Sequence, residues 1–162
     1  DSIPPIIKAA LIHSQFEIVH PFLDGNGRTG RMLITFYLWQ VGYLEEPVLY
    51  LSSYFKKHKE IYINRLEDYH NGLIDNWINF FLDGVIEIAE EAIDTVAMIT
   101  KLRDQDMIKM SSLGKRAAES SAIVYPQLFA QPIVSVSTIS QWTGFSTPGA
   151  QKVIDRFIDQ GA

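Results

Sequence analysis

Twelve consecutive residues, His20-Pro21-Phe22-Leu23-Asp24-Gly25-Asn26-Gly27-Arg28-Thr29-Gly30-Arg31, bring together a base, a carboxylate, glycines and two guanidiniums. Gly25 and Gly27 flank Asn26, so the backbone there can turn tightly and come close to a ligand. A helix that follows has first-turn N–H groups without intrahelical partners and a partial positive charge, which together favour an anion. Arg28 and Arg31, three apart, are neighbours on one helix face. Two guanidiniums beside one loop suit a polyphosphate better than a single carboxylate. Asp24 would repel that anion unless a divalent cation lay between them, and magnesium is commonly held by one or two carboxylates plus substrate phosphates. His20, with an ordinary pKa of roughly 6.5, suits proton transfer near neutral pH. A base beside a metal-bound polyphosphate points to transfer of a phosphorus group onto a hydroxyl. The loop is not a Walker A motif, because no Gly-Lys-Ser/Thr tripeptide occurs.

Each of these residues also has a purely structural use. His20 could cap a helix, Gly25-Asn26-Gly27 could be a turn, the arginines could pair with surface carboxylates, and Asp24 could cap the next helix. Their conjunction within one loop is what favours an anion site.

The loop must be positioned by the elements around it. Pro4-Pro5 suits a helix start, and Ile6, Ile7, Ala10, Leu11, Phe16 and Val19 recur at roughly helical spacing. Pro21 ends that helix near Val19 or His20. A second, largely apolar helix is expected from Arg28 to Val41, stopped by Gly42. Ser53 is expected to cap a third helix, Tyr54 to Tyr69, broken by Gly72. Asp75 is expected to cap a fourth that carries Trp77, Ile78, Phe81, Leu82, Val85 and Ile86. That pattern runs on, increasingly charged, to about Met107, with Gly84 a weak point inside it. Ser112 to Phe129 reads as another helix. After Val134-Ser135-Val136-Ser137 come a short helix over Thr138–Trp142, a turn at Thr143-Gly144-Phe145, and a helix over Thr147–Asp159 with Ser146 as its cap and Pro148 in its first turn. Short helix, glycine turn, second helix is the helix-turn-helix pattern. No internal repeat or low-complexity tract interrupts the chain.

With 162 residues, 47% hydrophobic and 20% charged, the chain can bury a core. It has no cysteine, which excludes disulfides and thiolate metal sites and fits a reducing compartment. No apolar run approaches the roughly 20 residues that span a bilayer. Asp1-Ser2-Ile3-Pro4-Pro5 lacks the basic head of a signal peptide, so a cytoplasmic location is expected and no membrane partner. The net charge of −5 argues against a broad nucleic-acid surface. Both ends read as cut: the chain begins one helix before its strongest motif and stops at Gly161-Ala162 inside another.

The twelve residues match H-x-F-x-[D/E]-G-N-G-R-x-x-R at every fixed position, and through them the chain resembles the Fic family. The resemblance extends over about residues 3–95, through Pro4-Pro5 to Phe16-Glu17, Val48-Leu49-Tyr50-Leu51-Ser52, Tyr62, Leu66 and Trp77 with Phe80-Phe81-Leu82. More weakly it includes the tail. It implies an all-α fold, a Fic helical bundle with the loop between two central helices, followed by a helix-turn-helix or partial winged-helix segment. The implied division is a Fic core over 1–95, a connecting helical segment over 96–120, and a truncated helix-turn-helix segment over 121–162. The resemblance implies a protein adenylyltransferase in which His20 takes a proton from a Ser, Thr or Tyr hydroxyl of a target protein, or of the chain itself. The freed oxygen attacks the α-phosphate of ATP and pyrophosphate leaves. Asp24 would hold magnesium, Gly25, Asn26 and Gly27 would cradle phosphate, and Arg28 and Arg31 would contact it. Thr29 and Gly30 complete the implied ATP-binding loop.

The family's Tyr-Tyr pair near the nucleotide falls at Tyr62 and Ile63, agreeing at the first and departing at the second. Its adenosine-contacting asparagine falls at His70 or Asn71. Gly27 favours AMP transfer over phosphorylation, in which relatives carry Lys there. The family's flap belongs upstream of the first helix, and no Ser/Thr-x-x-x-Glu inhibitory helix is found downstream of the loop. Alternatives are a nucleotide-sensing DNA-binding regulator that uses the helix-turn-helix, and removal of AMP from a modified protein. Lys152 and Arg156 stand against Asp155 and Asp159 on the last helix, a poor balance for DNA. A homodimer is left open.

Overall fold

A computed structural model describes residues 3–161, and the described residues are all-helical, with eight helices and no strand. Asp1, Ser2 and Ala162, on which part of the reading of the chain ends rests, lie outside the described residues. The chain divides into two compact units after Asp94.

In the first unit α1 (Pro5–Val19) and α2 (Asn26–Gln40) pack along each other. α3 (Leu51–Lys57) and α4 (Lys59–His70) follow, and α5 (Ile74–Ser111) begins in this unit and continues into the second. Proline in the first turn of α1 costs nothing, since its missing N–H would have no partner there. Ala9 and Ala10 give α1 a small, fully buried face, and the Trp77 indole N–H of α5 donates to the Ala10 carbonyl at 2.9 Å. Ile34 and Leu38 of α2, Leu51, Tyr54 and Phe55 of α3, and Phe80, Phe81 and Ile88 of α5 complete this core. Burying each such large side chain is worth about 1.5–3 kcal/mol.

Several expected boundaries are corrected. α2 starts at Asn26, two residues before Arg28, because Gly25 adopts a left-handed φ of 85° and turns the chain straight into the helix. The expected third helix is two: the backbone at His58 (φ −111°, ψ 37°) leaves helical geometry, and the helical run already starts at Leu51. Ser53 is therefore inside α3 and caps nothing; its hydroxyl donates back to the Tyr50 carbonyl at 2.7 Å. α5 begins at Ile74, so Asp75 sits in its first turn and not at its cap, favourable to the helix dipole all the same. Gly84 lies inside α5 where the Tyr54 ring packs against it: a Cβ there would lie 2.5 Å from that ring.

In the second unit α6 (Lys115–Ala130), α7 (Val136–Thr143) and α8 (Thr147–Asp159) pack around Met110, Val124, Tyr125, Ile139, Ala150, Val153 and Phe157. α6 starts at Lys115 and not Ser112, whose hydroxyl instead donates to the Lys109 carbonyl at the end of α5. α7 starts two residues before Thr138, because Ser135 and Thr138 form a reciprocal capping box. Gly144 (φ 70°) ends α7, and α8 follows over the expected residues. Ser146 occupies the cap position of α8 without a side-chain capping hydrogen bond. Among the described residues no helix is long and apolar enough to cross a membrane.

Candidate active site

The loop between α1 and α2 is closed by its own side chains. Asn26 is buried, and its amide spans the loop: Oδ1 accepts from the Phe22 N–H at 2.9 Å and Nδ2 donates to the Phe22 carbonyl at 2.5 Å. The Asn26 side chain is thus committed to the backbone, and what it offers a ligand is its amide N–H. The Phe22 ring leans on Phe16 of α1, centroids 6.2 Å apart. Thr29 donates from its hydroxyl to the Gly25 carbonyl at 3.2 Å, and its N–H makes the first intrahelical bond to the same oxygen. The amides of Asn26, Gly27 and Arg28 precede that bond and lack intrahelical acceptors, which is the physical basis of an anion cradle.

His20 stands at the C-cap of α1 with φ 46° and ψ 55°; among the described residues no other non-glycine has a positive φ. Such a conformation costs a non-glycine residue about 1–2 kcal/mol. It turns the imidazole out of the helix into solvent, where Nδ1–H donates to the Glu17 carbonyl at 3.3 Å. That bond fixes the neutral tautomer with its proton on Nδ1 and leaves Nε2 free to accept one. The capping use and the basic use of His20 are therefore compatible.

Arg28 and Arg31 line a cleft of about 310 Å³ with Met32, Thr35, Phe36, Pro47, Leu49 and Ser52. Arg31 also lines a neighbouring cleft of about 410 Å³ with Ser52, Phe55, Lys56, Lys59, Tyr62 and Ile63. Arg31 thus joins the α1–α2 loop side of the site to the Tyr62–Ile63 segment of α4. Its guanidinium folds back over the first turn of α2, and a Cβ on Gly27 would lie 3.0 Å from its Nη1. Asp24 is exposed on the loop. Among the described residues no three His, Cys, Asp or Glu side chains converge as a metal cage. Asp24 therefore fits magnesium only as a single carboxylate that shares the ion with substrate phosphates and water. His70 ends α4 and Asn71 is its C-cap, where the Asn71 N–H bonds Glu67 and Asp68 carbonyls.

Four further groups around this site escaped the sequence reading. Lys56 and Lys59 add positive charge to the second cleft. Behind the loop, His13 is fully buried and its Nε2 pairs with the Tyr62 hydroxyl at 2.9 Å. Glu17 Oε1 lies 4.0 Å from the same nitrogen. Burial, with help from the Arg31 charge, lowers the His13 pKa to about 4, so the ring is neutral. Burial raises the Glu17 carboxyl above its ordinary value, against the opposing pull of Arg31 and His20. Gly30 permits this arrangement: a Cβ there would lie 2.7 Å from Glu17 Oε1 and 3.0 Å from His13 Nδ1. A signal was present, since His13 and Glu17 share the face of α1 that continues from Ala9 and Ala10.

Residues 1–38 match the model of the Fic/DOC family. Over those residues, which hold α1, the loop and most of α2, the chain is similar to that family. Over 79 residues, 49% of this chain, it is 35% identical to "Protein adenylyltransferase Fic" of Aedes aegypti, of which 15% is covered. A Drosophila grimshawi protein of the same name is 35% identical over 83 residues, 51% of this chain and 16% of the relative. A "Probable protein adenylyltransferase" of Aquifex aeolicus is 34% identical over 73 residues, 45% of this chain and 20% of the relative. The chain thus spans between 15% and 20% of the length of these curated relatives.

Proposed function

We propose that the first unit transfers AMP from ATP to a hydroxyl side chain of a protein. The observation that carries this reading is Arg31, which joins the open amides of the α2 first turn to a basic, aromatic-walled cleft. This proximity supports a reading in which phosphates lie against the loop and a nucleobase lies in the neighbouring cleft. The names of the relatives support the same reaction class.

In the proposed step His20 Nε2 takes the proton of a Ser, Thr or Tyr hydroxyl. The oxygen forms a bond to the α-phosphorus, the bond from that phosphorus to the β-bridging oxygen breaks, and pyrophosphate leaves with the electron pair. The Nδ1–H bond to the Glu17 carbonyl orients the ring through the transfer. The amides of Asn26, Gly27 and Arg28, with the Arg28 and Arg31 guanidiniums, hold the phosphates where negative charge accumulates. Magnesium, when bound with the nucleotide through Asp24, would supply charge neutralisation at those oxygens.

Intact-mass spectrometry with ATP and magnesium, of the chain alone and with candidate target proteins, tests the reading. The expected result is a mass gain of one adenylyl unit that slows by about 10²–10⁴-fold in His20→Ala. A gain of equal rate in both proteins would remove His20 from the chemistry. Tight ATP binding without transfer to any protein would favour a sensing role for the loop.

A further inference from the structure

The His13 imidazole has no task in the proposed step, and an apolar residue would fill its space without the cost of burying a polar ring. Its surroundings define what it does. The ring lies roughly parallel to Phe55 (centroids 5.5 Å, 16°) and to Trp77 (5.8 Å, 26°). Its Nδ1 edge is pressed against Gly30 without a formed hydrogen bond. With those sides closed, the hydrogen bond it makes is the one to the Tyr62 hydroxyl. Tyr62 in turn stacks on Phe55 at 4.8 Å and 27° and meets Trp77 edge-on, while its exposed side forms a wall of the cleft next to Arg31.

We propose that His13 is a positioning residue of the nucleotide cleft: by holding the Tyr62 hydroxyl it fixes the depth of the tyrosine ring against which a nucleotide base packs. This inference rests on the nucleotide reading of the site. The hydroxyl faces the interior, so its contribution to binding is exerted through the pose of the ring and not through a contact with ligand. A hydrogen bond of this kind is worth roughly a factor of five in an equilibrium constant.

The test uses the whole chain with ATP and magnesium. Tyr62→Phe removes only the hydroxyl, and His13→Leu keeps an apolar filling. Calorimetry is expected to show ATP bound about fivefold more weakly by each variant, and the double variant no weaker than either single one. Where transfer is followed, KM for ATP rises by the same factor and kcat at saturation stays within about twofold. The His13 imidazole ¹⁵N resonances of the unaltered protein are expected to shift when ATP is added. If His13→Leu fails to fold, Tyr62→Phe and the ¹⁵N resonances decide the matter. Tyr62→Phe binding ATP as tightly as the parent, additive losses in the double variant, or unmoved His13 resonances would each overturn the proposal. Absence of ATP binding by the unaltered chain would instead overturn the nucleotide reading beneath it.

Discussion

Each unit buries an ionisable side chain that meets a tyrosine hydroxyl, and the two are treated in opposite ways. In the second unit Asp106 is fully served: Lys109 donates to one carboxylate oxygen at 2.7 Å and the Tyr125 hydroxyl to the other at 2.8 Å. The lysine bond, assisted by the tyrosine, holds the Asp106 carboxyl below its ordinary pKa, and the tyrosine bond ties α5 to α6. In the first unit His13 and Glu17 each keep a buried atom without a hydrogen-bond partner, Nδ1 and Oε1 respectively. A satisfied network locks a fold, whereas a half-satisfied one costs stability and persists where another use maintains it. The costly cluster lies directly behind the candidate active site, and the complete one lies in the unit without that chemistry.

The largest expected effect separates the units by pH. Unfolded His13 binds its proton near pH 6.5 and folded His13 near about 4, so in that window the unfolded state holds more protons. Stability of the first unit therefore falls as pH drops from 6.5 towards 4, by about 3 kcal/mol from this group. Glu17 offsets part of the loss, because its raised pKa makes the folded state hold a proton more tightly as pH falls. Asp106 has the depressed carboxyl, so its contribution to the second unit survives until pH falls below its unfolded value of 3.8. Hydrogen exchange should show α1 and α2 amides losing protection at higher pH than those of α6 and α8, and His13→Leu should delay the loss. Simultaneous loss in both units would break the contrast.

Gly30→Ala should cost the first unit about 1–3 kcal/mol by driving a methyl into Glu17 and His13. Denaturant titration read on α1 and α2 would show it, and an unchanged midpoint would mean that the cluster can yield. A smaller loss, about 1 kcal/mol, is expected in the second unit for Tyr125→Phe, since Lys109 still serves Asp106. The smallest effect concerns Ser121, whose buried hydroxyl has no partner in the second unit. Ser121→Ala should be neutral or slightly stabilising by thermal melt. A loss above about 1 kcal/mol would mean that this hydroxyl is bonded after all, for instance to a buried water.

Some helix ends in this chain were legible from a nearby proline or glycine. Pro5 opens α1, Gly42 and Gly72 follow the ends of α2 and α4, and the apolar repeat of α2 runs to Gln40. The signals failed where tertiary packing competed with them. His58 breaks a run that reads as one helix, and Gly84 looked like a flaw until the Tyr54 ring was seen against it. At the site, the types of His20, Asp24, Arg28 and Arg31 were enough to suggest polyphosphate chemistry. The side chain of Asn26 proved to be a loop clamp, a role that depends on a four-residue hydrogen-bonded closure.

The sequence by itself determined the helical class, the loop and the residue types that suggest polyphosphate chemistry, because helix periodicity, glycine turns and helix N-termini are local properties. Tertiary structure alone decided that Arg31 joins two clefts and that His13 of α1 meets Tyr62 of α4. Those residues lie far apart along the chain or depend on a neighbouring helix. Their meeting follows from how α1, α2 and α4 pack, which no local pattern encodes.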